Sequence, residues 1–594
     1  MTPLATPAAP APSGQSAPVP AAPVPAPADE GPSDAHVLML AAKPGERLFR
    51  VLESPNPLRP LLAALAVLPA VLASPRCRLD RVDPDWGVAC LEALNGDSLT
   101  DVGPAAWLTG RLLAVSGTEG PVPYFALSWA GATLLVWAVW QLTAAAAGAR
   151  PAAFAALLIA ANPVTAAAAA SAPPTVAGAA LAVIAAWLWV RASRRGSPAV
   201  AALAGAAAGA GALLAGWFTA LTPAAVAAAD FLLALLPARG DEPREPDRGW
   251  ERSTRSGRAA AADRPAETLG RLGMFFAGFG VTAVSALAFG PSPAWEAAGL
   301  SSQGVWLLAG LAVTGLAAAL AGRRWMAPAA RRVVLGLAGA ATVLGAAAWT
   351  PRLDGGGADV GVLAVLIAAT VAAAVGLEGA CRPAVSARGV AALTLLPVLV
   401  LLSGWIWSEE PWETAVRAVV ALGATIGLWG LWEVVAYRWP RTVRDRRLLI
   451  VAVVALAATG LKWSVRGTNP SAGRGTRQLV AALAERPETR IFVLAEQADQ
   501  QAAKFLFSAA APGRLVFVLD PRGPRVADLL NDALAVEPSP LVAVVGGGPA
   551  ARLNALRPAG AAPPAPVGVL LGGDGVKKEV RLLVLPSNPR AEPG

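Results

Sequence analysis

Long apolar segments alternate with short polar connections over most of the first 463 residues. About thirteen of them approach the 20 or so residues that a helix needs to cross a bilayer, although several are near the lower limit. They lie at approximately 58–74, 122–143, 152–170, 174–190, 199–215, 219–237, 272–289, 304–321, 333–349, 360–377, 390–407, 415–437 and 448–463. The pattern predicts an α-helical polytopic membrane protein with a transmembrane region at 58–463.

The two ends of the chain differ from this apolar middle. Residues 1–35 are rich in Pro and Ala, which predicts a disordered tail, and residues 36–57 form a juxtamembrane segment. Residues 464–594 contain short apolar runs rich in β-branched residues, with helix-like segments between the first three. This predicts a small α/β domain. The predicted strands are RIFVLA, RLVFVLD, LVAVVGG, VGVLLGG and VRLLVLP.

Composition and charge support the membrane class and indicate an orientation. The chain is 55% hydrophobic and 15% charged, whereas soluble proteins carry about 25% charged residues. Its net charge of +9 comes from short basic clusters between apolar segments, which argues against a nucleic-acid partner. If the spans alternate, the clusters at 191–195, 323–332 and 438–447 share one side with the long charged connection 239–271. The positive-inside rule then predicts a multi-pass protein with a cytoplasmic N-terminus and an extracytoplasmic C-terminal domain. The short loops and the Ala-rich composition suggest the inner (plasma) membrane of a bacterium.

The first outer connection, residues 75–121, contains the densest acidic cluster. The run RLDRVDPDWGVACLEALNGDSLTD has six carboxylates. Segment 105–117 has apolar residues at 107, 108, 112, 113 and 115, a spacing that predicts a helix lying in the membrane interface. A carboxylate at such a boundary can be partly desolvated and positioned as a general base. Asp83 and Asp85 are the candidates, and a solvated acidic loop is the alternative.

These features together resemble the GT-C glycosyltransferases of the protein O-mannosyltransferase and aminoarabinose-transferase type. VDPDWGVACLEALNGDSLTDVGPAAWLTGRLLAVSG is similar to that family's acidic motif, Gly-Asp step, Pro-containing turn and helix ending in Gly, and residues 162–192 resemble its third and fourth spans. The resemblance implies inverting sugar transfer from a polyprenyl-phosphate donor to a lipid, glycan or protein acceptor in the cell envelope. It also implies that Asp85 is the catalytic base, with Asp83 second and Trp86 beside them as a substrate-binding residue.

Two departures from the family pattern bear on this function. Asp83-Pro84-Asp85 stands where the family usually has Asp-Glu, and segment 203–223 lacks the lysine often found at the outer end of the family's Gly-rich helix. The donor phosphate would then be bound by Arg111 or Arg352, each of which could equally be an interfacial arginine. A non-catalytic relative, a transporter or an envelope assembly factor is therefore the alternative function.

The sequence contains few residues that could bind a cofactor or place a polar group inside the membrane. Three Cys and one His form no metal motif, and we expect no cofactor, although Asp354 and Asp359 could supply oxygen ligands to a divalent metal. Spacing leaves open whether Cys77 and Cys90 form a disulfide in the outer loop. Asp230 lies within a predicted span, where a charged carboxylate costs roughly 2.5–3.5 kcal/mol. It should therefore be protonated, paired or facing a cavity.

Overall fold

A computed structural model describes ten stretches of the chain and a few single residues between them. The stretches are 58–117, 120–235, 265–289, 328–348, 357–380, 474–486, 490–523, 541–550, 565–571 and 577–584. Residues 1–57 and the predicted spans at 390–407 and 415–437 lie outside the described residues, as do most of the spans at 304–321 and 448–463.

The apolar part of the described chain is helical. Its helices are α1 (Leu58–Ala73), α2 (Pro84–Asn95), α3 (Leu99–Val102), α4 (Pro104–Ser116), α5 (Val122–Ala147), α6 (Ala149–Ala160), α7 (Pro163–Ala169), α8 (Thr175–Arg195), α9 (Pro198–Ala215), α10 (Leu221–Leu235), α11 (Pro265–Phe289), α12 (Pro328–Ala348) and α13 (Gly357–Ala380). Among the described residues, α5, α8 and α9 are long and apolar enough to cross a membrane, and α6 with α7 makes a fourth candidate as one bent span.

The bend divides the span predicted at 152–170. The axes of α6 and α7 differ by 61°, and the Asn162-Pro163 pair explains why. The Asn162 side-chain oxygen accepts a hydrogen bond from the Val164 backbone N–H at 2.9 Å, so Asn162 is the N-cap of α7. Pro163 follows at the first helical position, where its missing N–H costs nothing, but it cannot continue the preceding helix. The sequence therefore ends one helix and begins another at this point.

Small residues set the closest helix contacts. A Cβ atom on Gly205 of α9 would overlap the carbonyl oxygen of Phe275 in α11, and one on Gly278 would overlap the carbonyl oxygen of Ala202. The backbones of α9 and α11 therefore touch at two levels. Such contacts are typical of helices that pack in lipid, where close van der Waals approach replaces the hydrophobic effect as a source of stability.

The C-terminal part of the described chain contains a mixed sheet. Its elements are α14 (Arg474–Ala484), β1 (Arg490–Leu494), α15 (Gln500–Ala510), β2 (Leu515–Leu519), β3 (Leu541–Val545), β4 (Ala565–Leu571) and β5 (Lys577–Val584). The strand order is β2-β1-β3-β5-β4. Strand β1 pairs in parallel with β2 and β3, whereas β5 is antiparallel to β3 and β4. The five strands overlap the five apolar runs that the sequence predicts as strands, and α15 covers the helix-like segment QQAAKFLFSAA.

The topology follows from burial and chain order. Every residue of β3 and four of five in β1 are buried, which explains why these strands read as continuous apolar runs. From β1 the chain passes through α15 to β2 on one side, and β3 lies on the other side of β1. The direction in which successive strands are added to the sheet therefore reverses at β1, although β1, β2 and β3 are parallel. The helix predicted at RVADLLNDALA lies almost entirely outside the described residues.

Asp230 is paired, one of the three arrangements that its sequence position allows. The Nη1 atom of Arg332 donates to Asp230 Oδ1 at 2.7 Å, and the Ser193 hydroxyl donates to Oδ2 at 2.6 Å. Arg271 donates to the carbonyl oxygen of Ser193 at 3.3 Å. Asp230 is only 3% exposed, so the arginine and the hydroxyl replace the water that the carboxylate loses on burial.

Replacing Asp230 with Asn should destabilise the protein by about 3 kcal/mol, because Arg332 would keep its charge without its carboxylate. The measurement is the thermal unfolding midpoint in nanodiscs. The double variant Asp230→Asn/Arg332→Gln removes both charges and should recover most of the loss. If the single variant unfolds at the wild-type temperature, the ion pair does not stabilise the helices.

Candidate functional site

The acidic loop after α1 is built around a helix that begins at the predicted catalytic residues. Asp83 is the N-cap of α2, and its carboxylate oxygen accepts a hydrogen bond from the Trp86 backbone N–H at 2.9 Å. Pro84 occupies the first helical position. Asp-Pro is a strong helix start, because the carboxylate satisfies an amide that has no partner within the helix and proline has its φ already fixed. Capping of α2 therefore explains the presence of an aspartate at position 83 without any catalytic role.

Asp85 and Trp86 face opposite environments in the first turn of α2. Asp85 is exposed, whereas Trp86 has no exposed surface and is among the largest fully buried side chains of the described chain. The indole thus anchors the helix start and leaves the neighbouring carboxylate facing outward. Contact between Trp86 and a sugar, as the sequence predicts, would require α2 to move away from its neighbours.

The predicted interfacial helix is α4, and its exposed face is apolar. Leu108 is 42% exposed, Leu112 41% and Val115 90%, and their spacing places them on one side of the helix. Leu113 was expected on the same face, but it is 1% exposed and lies on the inner side with Gly110. Two neighbouring leucines cannot share a narrow helical face, because successive residues are about 100° apart.

Arg111 lies on the outer side of α4, at a different level from Asp85. Its guanidinium is 4.9 Å from the ring centroid of Trp107, a cation–π contact one helical turn away. The neighbouring Gly110 marks where α4 crosses α2, since a Cβ there would lie 2.7 Å from the Cβ of Ala93. Ala93 is roughly 12 Å further along α2 than Asp85, at 1.5 Å per residue. The structure therefore does not bring Arg111 to the Asp85 carboxylate.

The structure does not describe the side chains of the other residues that the sequence proposes as phosphate or metal ligands. Arg352 and Asp354 lie outside the described residues, and Asp359 is in α13 but its side chain is not described. Within the described chain, no group of three or more His, Cys, Asp and Glu side chains is placed to hold a metal ion.

The α/β domain contacts helix α2 of the acidic loop through α15, an interaction that no pattern in the sequence predicts. Phe505 of α15 lies so close to Gly87 of α2 that a Cβ atom there would overlap the phenyl ring. The same phenyl ring contacts Tyr124 of α5 edge to face, with ring centroids 5.4 Å apart. Lys504 donates to the Glu92 carboxylate at 3.1 Å. Phe505 and Tyr124 are almost fully buried, so the contact is a packed core rather than a surface encounter.

Cys77 and Cys90, whose pairing the sequence leaves open, are both free thiols and both buried. The Cys77 thiol donates to the carbonyl oxygen of Ala73 at 3.4 Å and accepts from the indole N–H of Trp129 at 3.3 Å. Burial raises the pKa of Cys77 to about 11, against the opposing effect of the Trp129 hydrogen bond. Burial also raises the pKa of Cys90, which a hydrogen bond with Thr109 opposes. Both residues behave as apolar packing groups.

Comparison with known proteins gives matches in structure only. No protein-family model and no curated protein matches the chain. ArnT from Cupriavidus metallidurans in the apo state is similar over 88% of this chain and 97% of that chain, with 15% sequence identity and a TM-score of 0.47. Its undecaprenyl-phosphate-bound form is similar over 90% of this chain and 99% of that chain, with 14% sequence identity and a TM-score of 0.47. The Archaeoglobus fulgidus oligosaccharyltransferase in the apo form is similar over 77% of this chain and 64% of that chain, with 13% sequence identity and a TM-score of 0.37. The similarity to ArnT extends along most of this chain.

Gly87→Ala should loosen the α/β domain, because overfilling a packed contact costs about 1–3 kcal/mol. In a Phe505→Ala background the sign should reverse, since the space is then open and alanine favours a helix by up to about 1 kcal/mol over glycine. The thermal midpoint and the rate of proteolytic release of the α/β domain measure both effects. Gly339→Ala is the matched control, because no atom lies within 4 Å of its added Cβ. A destabilisation that is the same in both backgrounds would contradict the contact.

The two loop thiols should resist alkylation in the folded protein. With a pKa of about 11, about one Cys77 in a thousand is a thiolate at pH 8, and the thiolate is the reacting form. Replacing the third cysteine of the chain, Cys381, with Ala leaves only the two loop thiols to react. In that background, iodoacetamide at pH 8 should label neither thiol until the protein is unfolded. Intact mass of protein purified without reductant should then show two free thiols. A mass lower by two hydrogens would instead indicate a disulfide.

Proposed function

We propose that this protein is a membrane glycosyltransferase of the GT-C type, which transfers a sugar from a polyprenyl-phosphate donor to an acceptor at the extracytoplasmic face. Asp85 is its general base. The observation that carries the proposal is the position of the Asp85 carboxylate. It is exposed at the start of a helix held between the apolar-faced α4 and α15 of the α/β domain.

This position suits a reaction between a lipid-borne donor and a water-soluble or envelope-bound acceptor. The exposed strip of Leu108, Leu112 and Val115 is what a helix needs to lie in the headgroup region. Helix α2 packs against both α4 and α15. A carboxylate on α2 would therefore be reachable from the bilayer surface and from the aqueous side.

The chemistry assigned to Asp85 is proton removal from the acceptor. As the acceptor oxygen or nitrogen forms its bond to the anomeric carbon, Asp85 takes the proton. The bond between the anomeric carbon and the phosphate oxygen breaks, the lipid phosphate leaves with the electron pair, and the configuration inverts. Because the protein leaves Asp85 exposed, the bound substrates and the bilayer would have to exclude water from it. The lipid phosphate is bonded to the reacting anomeric carbon, so Arg111, which lies on the outer side of α4 at a different level from Asp85, would bind it only after α4 moves relative to α2.

The bent span α6–α7 is the feature that favours a transporter, because broken helices often form transport sites. Such sites usually use charged side chains or helix ends to bind an ion or substrate. No Asp, Glu, Lys or Arg occurs between Arg150 and Arg191, and the polar Asn162 at the break is occupied in capping α7. The enzyme is therefore the better-supported function.

Several contacts support the proposed membrane orientation. Ser193, Arg271 and Arg332 come from three different connections that are all assigned to the cytoplasm. They nevertheless meet around Asp230. Three connections that share one end of a helical bundle must lie on one side of the membrane. The first loop, an odd number of spans away, would then be extracytoplasmic, where the donor sugar is proposed to be presented.

Asp85→Asn should reduce sugar transfer by roughly 10²–10⁴-fold, the usual contribution of a general base, without changing folding. The assay uses full-length protein in nanodiscs and a labelled polyprenyl-phosphate sugar, with the thermal midpoint measured in parallel.

Asp83 provides the matched control. Asp83→Ser keeps an N-cap oxygen and should retain most activity, whereas Asp83→Ala should cost about 1 kcal/mol of stability. Asp97→Asn, an exposed carboxylate in the same loop, should have no effect. Full transfer by a correctly folded Asp85→Asn variant would remove Asp85 from the mechanism. A loss of transfer in Asp83→Ser as large as that in Asp85→Asn would reassign the base to Asp83.

A further inference from the structure

The α/β domain has a polar cleft, separate from the acidic loop, at the carboxyl ends of its parallel strands. Its volume is about 470 Å³, and its lining residues are Glu496, Gln497, Ala498, Asp520 and Arg522. This volume is within the range of about 300–1,000 Å³ that small-molecule sites occupy. The lining residues follow the ends of β1 and β2 directly, so the sheet itself fixes their position.

The topology of the sheet also favours a ligand at this edge. The chain leaves β1 towards β2 on one side, while β3 lies on the other. In open α/β sheets, ligands bind outside the carboxyl ends of the strands at the point where the strand order reverses in this way, since the loops diverge there and leave a crevice. Glu496 reaches across this point, because a Cβ on Gly548 after β3 would lie 2.9 Å from its carboxylate oxygen.

The cleft combines a fixed frame with polar groups that are not tightly engaged. Beside it, the buried Asp499 accepts a charged hydrogen bond from Lys578 at 2.6 Å, which ties β5 to the start of α15. The Asp520 carboxylate accepts from the Arg522 backbone N–H at 2.8 Å. In contrast, the Arg522 guanidinium is 3.9 Å from the Glu496 carboxylate, and these side chains are 70% and 43% exposed. Such a loose, hydrated pair contributes little to stability and can be joined by a ligand.

The lining chemistry indicates the class of ligand. Two carboxylates accept hydrogen bonds, an amide both donates and accepts, and a guanidinium donates several in one plane. This set complements adjacent hydroxyl groups, each of which is both donor and acceptor. The two carboxylates outnumber the single guanidinium, so the cleft would repel a polyanion such as a nucleotide or free phosphate.

We propose that this cleft binds a carbohydrate, and that the carbohydrate is part of the glycan acceptor. The second half of the proposal rests on the proposed transferase function. The cleft residues run directly into α15, whose Lys504 and Phe505 contact the helix that carries Asp85. Gln500 and Phe505 are about 8 Å apart along that helix, at 1.5 Å per residue. A glycan bound in the cleft would therefore lie at a fixed, short distance from α2.

The test is direct binding of the full-length protein, in nanodiscs, to an array of neutral and amino oligosaccharides drawn from bacterial envelope glycans. We expect binding to at least one of them. Glu496→Gln and Arg522→Gln should each weaken that binding at least tenfold. Glu579→Gln is the matched control, because this exposed carboxylate in the same sheet is paired with Arg581 outside the cleft and its loss should change nothing.

These measurements test the cleft proposal independently of the proposed transferase function. Asp85→Asn should bind the oligosaccharide as the wild type does, even where it transfers no sugar. Absence of oligosaccharide binding by the wild type, or equal binding by Glu496→Gln, would overturn the cleft proposal whatever the outcome of the transfer assay. Binding of inorganic phosphate that is lost in Arg522→Gln but kept or strengthened in Glu496→Gln would also overturn it, since the site would then prefer anions.

Discussion

The packing of Phe505 against the backbone of Gly87 connects the two chemically different parts of this molecule. It brings α15 of the α/β domain onto α2, and the same phenyl ring reaches Tyr124 in α5, the longest of the described helices. The hydrogen bond between Lys504 and Glu92 lies beside it but joins two side chains that are nearly half exposed. An ion pair of that kind contributes little. The orientation of α2, and with it the direction of the Asp85 carboxylate, therefore depends mainly on an apolar contact that only glycine permits.

The regular parts of this fold could be predicted from sequence because they follow from periodicity. All five strands of the α/β domain were recognisable as short β-branched runs, and most described helices match a predicted apolar segment. The bend between α6 and α7 was missed although its cause, Asn162-Pro163, is local and visible. Hydropathy averages over such a pair, because asparagine and proline lower the mean only slightly within twenty apolar residues. Leu113 was misplaced for a similar reason, since a list of apolar positions does not state which side of a helix each occupies.

The site was less predictable, because its roles depend on contacts between distant residues. Asp83 and Asp85 look equivalent in VDPDW, and only the hydrogen bond to the Trp86 amide distinguishes a capping carboxylate from an exposed one. No local signal identifies Gly87 as the partner of Phe505. The position of the cleft in the α/β domain was easier to predict from the sequence than these contacts. Glu496 and Asp520 each stand within two residues of a strand end, and polar residues at the carboxyl ends of parallel strands are a known indication of a binding edge.

The sequence separation of the two contact partners has a consequence for biosynthesis. Lys504 and Glu92 are 412 residues apart, so at about 5–20 residues per second the ribosome needs roughly 20–80 s to make the second after the first. During that interval the first loop exists without the helix that covers it, and the surface around Gly87 is open to wrong partners. The nascent chain would therefore depend on a chaperone to shield this surface until its last domain is made.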